Sequence, residues 1–266
     1  MSRPFENQVA IVTGASKGIG QAIALRLARK GAQVAMCARD EEALERVIRQ
    51  IESSPEPHRA GGAAAAFACD LRVPENPARL ADFARERFGR IDIVVNNAGA
   101  TKRGELEALT DDDWADGFAL KFFASVRLTR AAWPHLKANR GSVIFISGVG
   151  GRTPGGQFAI GGSVNAALLS FTKALAETGL RDGVQVNAIN PGTIRTDRFA
   201  ARLKAFAAGR NIDLSEAERE YVKEEEIARI GEPSEIAALV AFIAGPEGRL
   251  LHGSLIDIDA GATKTI

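Results

Sequence analysis

The chain has a single tyrosine, two cysteines and three histidines in 266 residues, and each scarcity narrows the available chemistry. Cys37 and Cys69 are too few for a disulfide framework, so the composition points to a reducing, cytoplasmic setting. Both lie near the ends of strands that can be neighbours, where they read as small buried hydrophobes. His58, His135 and His252 are scattered without metal-ligand spacing, and no metal site is expected. The net charge is only +1, and there is neither an acidic nor a basic tail. Nothing here marks a nucleic-acid surface. Residues 1–7 lack the apolar run of a signal peptide, and no stretch approaches the length of a membrane span. The expected partner is therefore a small molecule, not nucleic acid or a membrane.

What is present is the balance of an ordinary globular protein, with 45% apolar and 25% charged residues. Short, continuously apolar runs at 8–12, 33–37, 63–69, 91–95, 142–146, 184–189 and 254–258 read as strands. Their lack of alternation suits a parallel sheet covered on both faces. Helical patterns lie between them, at 19–30, 41–52, 77–88, 114–136, 164–180 and 234–244. This rhythm predicts an α/β fold: one doubly wound, Rossmann-like domain over 1–266, with a seven-stranded, mostly parallel sheet and helices on both faces. Residues 53–62 read as a surface connection, and the alanines after them are the only low-complexity feature. Between 193 and 233 the rhythm breaks, with two amphipathic patterns near 199–208 and 215–227. Inserted elements at the carboxyl ends of parallel strands usually cover a ligand crevice, so this segment is expected to be a substrate lid.

The loop Thr13-Gly14-Ala15-Ser16-Lys17-Gly18-Ile19-Gly20 follows the first strand and opens the first helix. Glycines at that spacing let the backbone turn tightly and approach a pyrophosphate at the positive end of a helix. Three further segments accompany it: Asp70-Leu71, Asn96-Asn97-Ala98-Gly99, and Val186–Gly192 with Thr196. Together, in this order, they resemble the short-chain dehydrogenase/reductase family, in its 3-ketoacyl reductase-like form, over nearly the whole chain. The resemblance implies a nicotinamide cofactor held by Gly14, Ser16, Lys17, Gly18, Ile19 and Gly20, with Asp70 and Leu71 at the adenine. It places Asn97, Ala98 and Gly99 along the adenine ribose, and Pro191, Gly192 and Thr196 at the nicotinamide amide. A carboxylate at the end of the second strand would repel a 2′-phosphate. Ala38 stands there instead, followed by Arg39, with Lys17 in the glycine loop. These two cations favour NADP(H), with NAD(H) the alternative, and Asp40 is expected to cap the next helix. The family usually forms homotetramers, so a homo-oligomer, dimer or tetramer, is implied.

The catalytic half departs from that family. Its tyrosine position falls on Gly161, its lysine position on Asn165, its serine position on Gly148 and its asparagine position on Lys121. No shift of register restores the tyrosine, because the only one is Tyr221, in the proposed lid. Losing a positioned acid or base costs about 10²- to 10⁴-fold in rate, so another donor is needed if redox turnover survives. Lys121 is the main candidate, since burial would lower its pKa towards neutrality. Ser147 and Ser163 lie close to lost positions and can bond a substrate oxygen, and Asn165 can reach the nicotinamide ribose. Lys102, Arg103, Lys121, Arg152, Arg195 and Arg198 should border one crevice, a cationic mouth suited to a carboxylate, phosphate or acyl-thioester. Three readings stay open: an NADP-dependent oxidoreductase with a rebuilt proton relay acting on an anionic carbonyl or alcohol compound, a redox-silent NADP(H) sensor or regulator, and a non-redox enzyme.

Overall fold

A computed structural model describes residues 3–53 and 63–265. The expected connection at 53–62, with His58, lies almost wholly outside the described residues. Seven strands form one sheet in the order β3-β2-β1-β4-β5-β6-β7. They are β1 (Val9–Thr13), β2 (Gln33–Ala38), β3 (Ala64–Ala68), β4 (Ile93–Asn96), β5 (Ser142–Ile146), β6 (Gln185–Pro191) and β7 (Leu255–Ile258). Every pairing between them is parallel, so the expected "mostly parallel" sheet is parallel throughout. The connecting helices are α1 (Gly18–Arg29), α2 (Glu41–Glu52), α3 (Asn76–Phe88), α4 (Asp111–Gly117), α5 (Ala124–Asn139), α6 (Ala159–Asp182), α7 (Asp197–Arg210), α8 (Leu214–Glu224) and α9 (Pro233–Ala244).

Successive strand residues face opposite sides, and each side is covered. Ala10, Val12, Val34 and Met36 pack with Ile23 and Leu27 of α1, Leu44 and Val47 of α2, and Ile236 and Val240 of α9. Ile11, Ala35, Val94, Val143 and Phe145 pack on the other side with Leu80 of α3, Leu128 of α5 and Leu168 of α6. Double coverage explains why the strands read as unbroken apolar runs. Strand order reverses between β1 and β4, and in open parallel sheets a ligand crevice lies outside the carboxyl ends of the strands at such a point.

Two helices depart from expectation. The pattern at 114–136 is broken: α4 gives way to a π-helical turn at Phe118–Phe123 before α5 begins. α6 starts five residues ahead of the expected 164, since Gly161 and Gly162, poor helix formers, lie in its first turns. Packing requires them there. A Cβ on Gly162 would stand 2.7 Å from Pro154 Cβ, and one on Gly161 would overlap the Phe158 ring. The segment 156–182 containing α6 is also long and apolar enough to match a membrane span by length and composition, contrary to the sequence reading. Ile160, Val164 and Leu168 of that helix are fully buried in the fold, as a core helix requires.

The extra segment at 193–233 holds α7 and α8. Its neck is closed by a parallel bridge between Ile194 and Gly231, with Arg195 N donating to Gly231 O at 2.8 Å. Phe199, Leu203, Tyr221, Ile227 and Ile230 give it an apolar cluster of its own.

Candidate active site

The glycine loop forms a cradle that side chains would fill. Gly14 and Gly18 adopt φ of +65° and +58°, and a Cβ on Gly20 would stand 2.2 Å from Gly14 O. α1 begins without a side-chain cap or an acidic residue in its first turn, leaving its positive end available to an anion. Asn97 braces the loop from β4: its Nδ2 donates to Thr13 O at 2.9 Å, while its own N donates to Thr13 Oγ1 at 2.9 Å. Thr196 closes the far side, its methyl 3.2 Å from the Cβ position of Gly18. A pyrophosphate fits this concave, donor-rich wall. Lys17 and Arg39 are both exposed, and Lys17 has only a loose pairing with Asp197 at 3.8 Å. Asp40 caps α2 as expected, accepting from Ala43 N at 2.9 Å.

Lys121 stands in the π-helical turn, a feature often found at functional sites. Its stem lies over Gly99, where an added Cβ would come within 2.8 Å of Cδ. Its ammonium turns inwards and donates to Ser147 O at 2.6 Å and to Asn165 Oδ1 at 2.5 Å. Both acceptors belong to buried residues. Burial, with a smaller contribution from the Arg198 charge, lowers the Lys121 pKa from 10.5 to about 7. Lys121 and Asn165, which the sequence reading set at the asparagine and lysine positions of the resembled family, meet through their side chains.

That shift has a consequence for stability. Below pH about 7 the fold must hold a charge that burial disfavours. Between about 7 and 10.5 the unfolded chain still binds this proton while the fold does not, so stability rises with pH. Lys121→Met is therefore expected to raise the thermal midpoint of the protein without cofactor. The gain should be largest below pH about 7 and fade towards 10.5, as scanning fluorimetry across pH would show. A lower midpoint at acid pH would mean that the two hydrogen bonds outweigh burial.

The other candidates divide. Ser147 Oγ donates to Asn165 O at 3.1 Å, so this residue presents its carbonyl, and not its hydroxyl, to the site. Ser163 is exposed, whereas Gly161 and Asn165 are buried; two residues along a helix is about 200° of rotation, the opposite face. The expectation that Ser163 bonds a substrate oxygen is corrected on that ground. Asn165 commits Oδ1 to Lys121, and its Nδ2 lies 3.0 Å from where a Gly148 Cβ would stand. Tyr221 is buried in the apolar cluster of the 193–233 segment, its hydroxyl 3.3 Å from Thr193 Oγ1. Phe158, one helical turn before Gly161, escaped the sequence reading. Its ring fills the space a side chain at Gly161 would need and also crowds the Cβ position of Gly150, at 2.7 Å.

The cationic mouth is smaller than expected. Lys102 pairs with Asp113 at 2.7 Å, Arg152 with Asp257 at 2.7 Å, and Arg195 with Glu218 and Glu232 at 2.6 and 2.9 Å. Local acids thus neutralise those three. Arg103 and Arg198 keep no carboxylate within 4.0 Å among the described residues, and Arg202 of α7, which the sequence reading passed over, joins them. Cys37 and Cys69 are unbridged neighbours with sulfurs 3.4 Å apart; the hydrogen bond between them and burial push the Cys37 thiol up. No cluster of three or more metal-ligating side chains occurs among the described residues.

Comparison with known proteins agrees with this geometry. A family model described as short chain dehydrogenase matches residues 8–205. An uncharacterised oxidoreductase from Mycobacterium tuberculosis is 38% identical over 97% of this chain and 93% of its own. L-Sorbose reductase from Gluconobacter frateurii, solved with NADPH and L-sorbose, superposes with a TM-score of 0.92 at 29% identity, covering both chains completely. A short chain oxidoreductase from Pseudomonas aeruginosa, described as containing an atypical catalytic center, superposes with a TM-score of 0.90 at 27% identity, over 98% of this chain and 99% of that one.

Proposed function

The chain belongs to the short-chain dehydrogenase family of oxidoreductases, and on that premise we propose that it is an NADP-dependent enzyme acting on an anionic carbonyl or alcohol compound, with Lys121 at the centre of a rebuilt proton relay. The observation that carries this reading is the Lys121 ammonium clasped by Ser147 O and Asn165 Oδ1, beside Gly99 at the open end of the crevice. When bound, the nicotinamide supplies or accepts the hydride. Lys121 then gives a proton to the carbonyl oxygen during reduction and takes one from the alcohol during oxidation; its pKa of about 7 suits both. Asn165 and the Ser147 carbonyl orient the amine. Segment 193–233, pinned at its neck, acts as the lid of a single domain over 1–266. The atypical centre described for the Pseudomonas aeruginosa relative supports a departure from the usual set.

Kinetics with a panel of acidic carbonyl compounds, following NADPH absorbance, test the reading. Tight NADPH binding with no turnover on any of them would favour the second reading, a redox-silent NADP(H) sensor. Gly148 and Gly161, which offer no side chain, and the engaged Ser147 hydroxyl support that alternative. A homo-oligomer, dimer or tetramer, fits the exposed Leu180, Phe242 and Leu250, and the unbridged cysteines fit a cytoplasmic location.

The cofactor preference rests on Arg39 and Lys17 facing a 2′-phosphate with no carboxylate at the end of β2. Arg39→Asp is expected to weaken NADPH binding by about 10- to 100-fold, the loss of a charge-assisted hydrogen bond plus a like-charge contact, and to improve NADH relative to it. Fluorescence titration of both cofactors measures the switch, and an unchanged NADPH-to-NADH ratio would remove Arg39 from the 2′-phosphate site.

A further inference from the structure

Three arginines at the mouth, Arg103, Arg198 and Arg202, have no salt-bridge partner among the described residues. The Arg103 guanidinium stacks on Phe158, its Cζ 4.1 Å from the ring centroid. Arg202 lies over Tyr221 and Phe199, at 5.1 and 5.5 Å. Arg198 Nη2 donates to Gly99 O at 3.0 Å, the same glycine that carries the Lys121 stem. All three residues are exposed. Partial desolvation of its guanidinium first, then the positive charge of Arg202 and more weakly that of Arg198, depress the Arg103 pKa; Tyr221 and Glu225 oppose this without reversing it. Arg198 and Arg202, four residues apart on α7, share one face of that helix, and their charges act on Arg103. Contact with aromatic rings restrains two of the three guanidinium groups, which favours charge-assisted hydrogen bonds to an oxoanion. Elsewhere in the lid Arg195, Arg210 and Arg229 bridge to glutamates. Arg103, Arg198 and Arg202, beside Lys121, have no carboxylate within 4.0 Å among the described residues.

We propose that Arg103, Arg198 and Arg202 bind the carboxylate of a small oxo acid, or of the matching hydroxy acid, whose carbonyl or hydroxyl carbon lies only a few bonds away beside Lys121. The short reach follows from Gly99, which anchors Arg198 through its carbonyl and seats the Lys121 stem on its Cα. Phe158 supplies the apolar floor under Arg103, in space a larger side chain at Gly161 would have taken. The proposal rests on the redox reading above for its substrate, but the anion site is measurable alone.

The test uses the full chain with NADP(H) and three matched compounds: a short oxo acid such as acetoacetate, its methyl ester, and a phosphorylated ketone of similar length. The oxo acid is expected to exceed the ester in kcat/KM by about 10- to 100-fold, the worth of one charge-assisted contact at a partly desolvated site. Arg103→Met and Arg202→Met should each raise KM for the acid by about tenfold, with kcat and NADPH affinity unchanged and the ester unaffected. Calorimetric titration of acetoacetate into the NADP-bound protein gives the second readout. Binding that is lost in Arg103→Met, without turnover, would uphold the anion site and sink the redox reading. Equal kcat/KM for acid and ester would uphold the redox reading and overturn the anion site. Preference for the phosphorylated ketone over the acid would overturn the carboxylate assignment.

Discussion

Lys121→Met is expected to lower turnover with NADPH by about 10²- to 10⁴-fold while NADPH affinity stays unchanged. The magnitude is that of removing a positioned general acid or base. Around the reacting centre, Gly148 and Gly161 contribute backbone alone, and the Ser147 hydroxyl already donates to Asn165 O at 3.1 Å. Asn165 cannot release a proton near neutrality. Lys121 is thus the group on this stretch of the crevice, among the described residues, with a proton to give and a pKa of about 7 at which to give it. Methionine keeps the unbranched stem that packs on Gly99, so the cofactor wall should persist. Single-turnover oxidation of bound NADPH, with nucleotide affinity measured in parallel, separates loss of chemistry from loss of binding. Full turnover in this variant would remove Lys121 from the mechanism.

The fold and the geometry of the glycine loop were legible because their signals are local. A strand-loop-helix with Gly14, Gly18 and Gly20 dictates the cradle, since each position needs either a positive φ or a backbone approach that only glycine permits. Unbroken apolar strands announce a sheet covered on both faces. The excess between β6 and α9 was visible as broken rhythm, and the bridge at Ile194 and Gly231 falls inside the expected limits. Ser163 was readable too: helical periodicity alone sets it opposite Gly161 and Asn165. The rest depended on distant partners. Which cations remain uncompensated is decided by Asp257 for Arg152 and by Glu218 for Arg195, and no local pattern joins those pairs. Phe158 is an aromatic residue at a helix start until the fold shows its ring over Gly161 and Gly150. Likewise, the inward turn of Lys121 needs Ser147 and Asn165, brought from β5 and α6.

Asn165→Asp is expected to move the alkaline limb of the reduction profile upwards by about 1–3 pH units. On the proposed relay, carbonyl reduction in the unmodified protein requires the Lys121 ammonium, so the rate should fall as pH rises past about 7. Asn165 Oδ1 accepts the ammonium bond at 2.5 Å, and aspartate at this position places a carboxylate oxygen on the same contact with almost no change in volume. An opposite charge at that distance favours the protonated amine. At pH about 9 only about one Lys121 in a hundred would be charged in the unmodified protein, against roughly one in ten to nine in ten in the variant. Reduction there should therefore become about ten- to ninetyfold faster in the variant. At pH about 6 both forms are protonated, and the variant should be the slower, because a weaker acid transfers its proton less readily. The oxidation direction reverses the sign, since it draws on the neutral amine. A gain at one pH, a loss at another and an inversion between directions cannot arise from misplaced substrate or a loosened fold, which would slow every condition alike. An unmoved profile would mean that Lys121 only holds the crevice in shape; a moved one would show that its proton is the one the reaction uses.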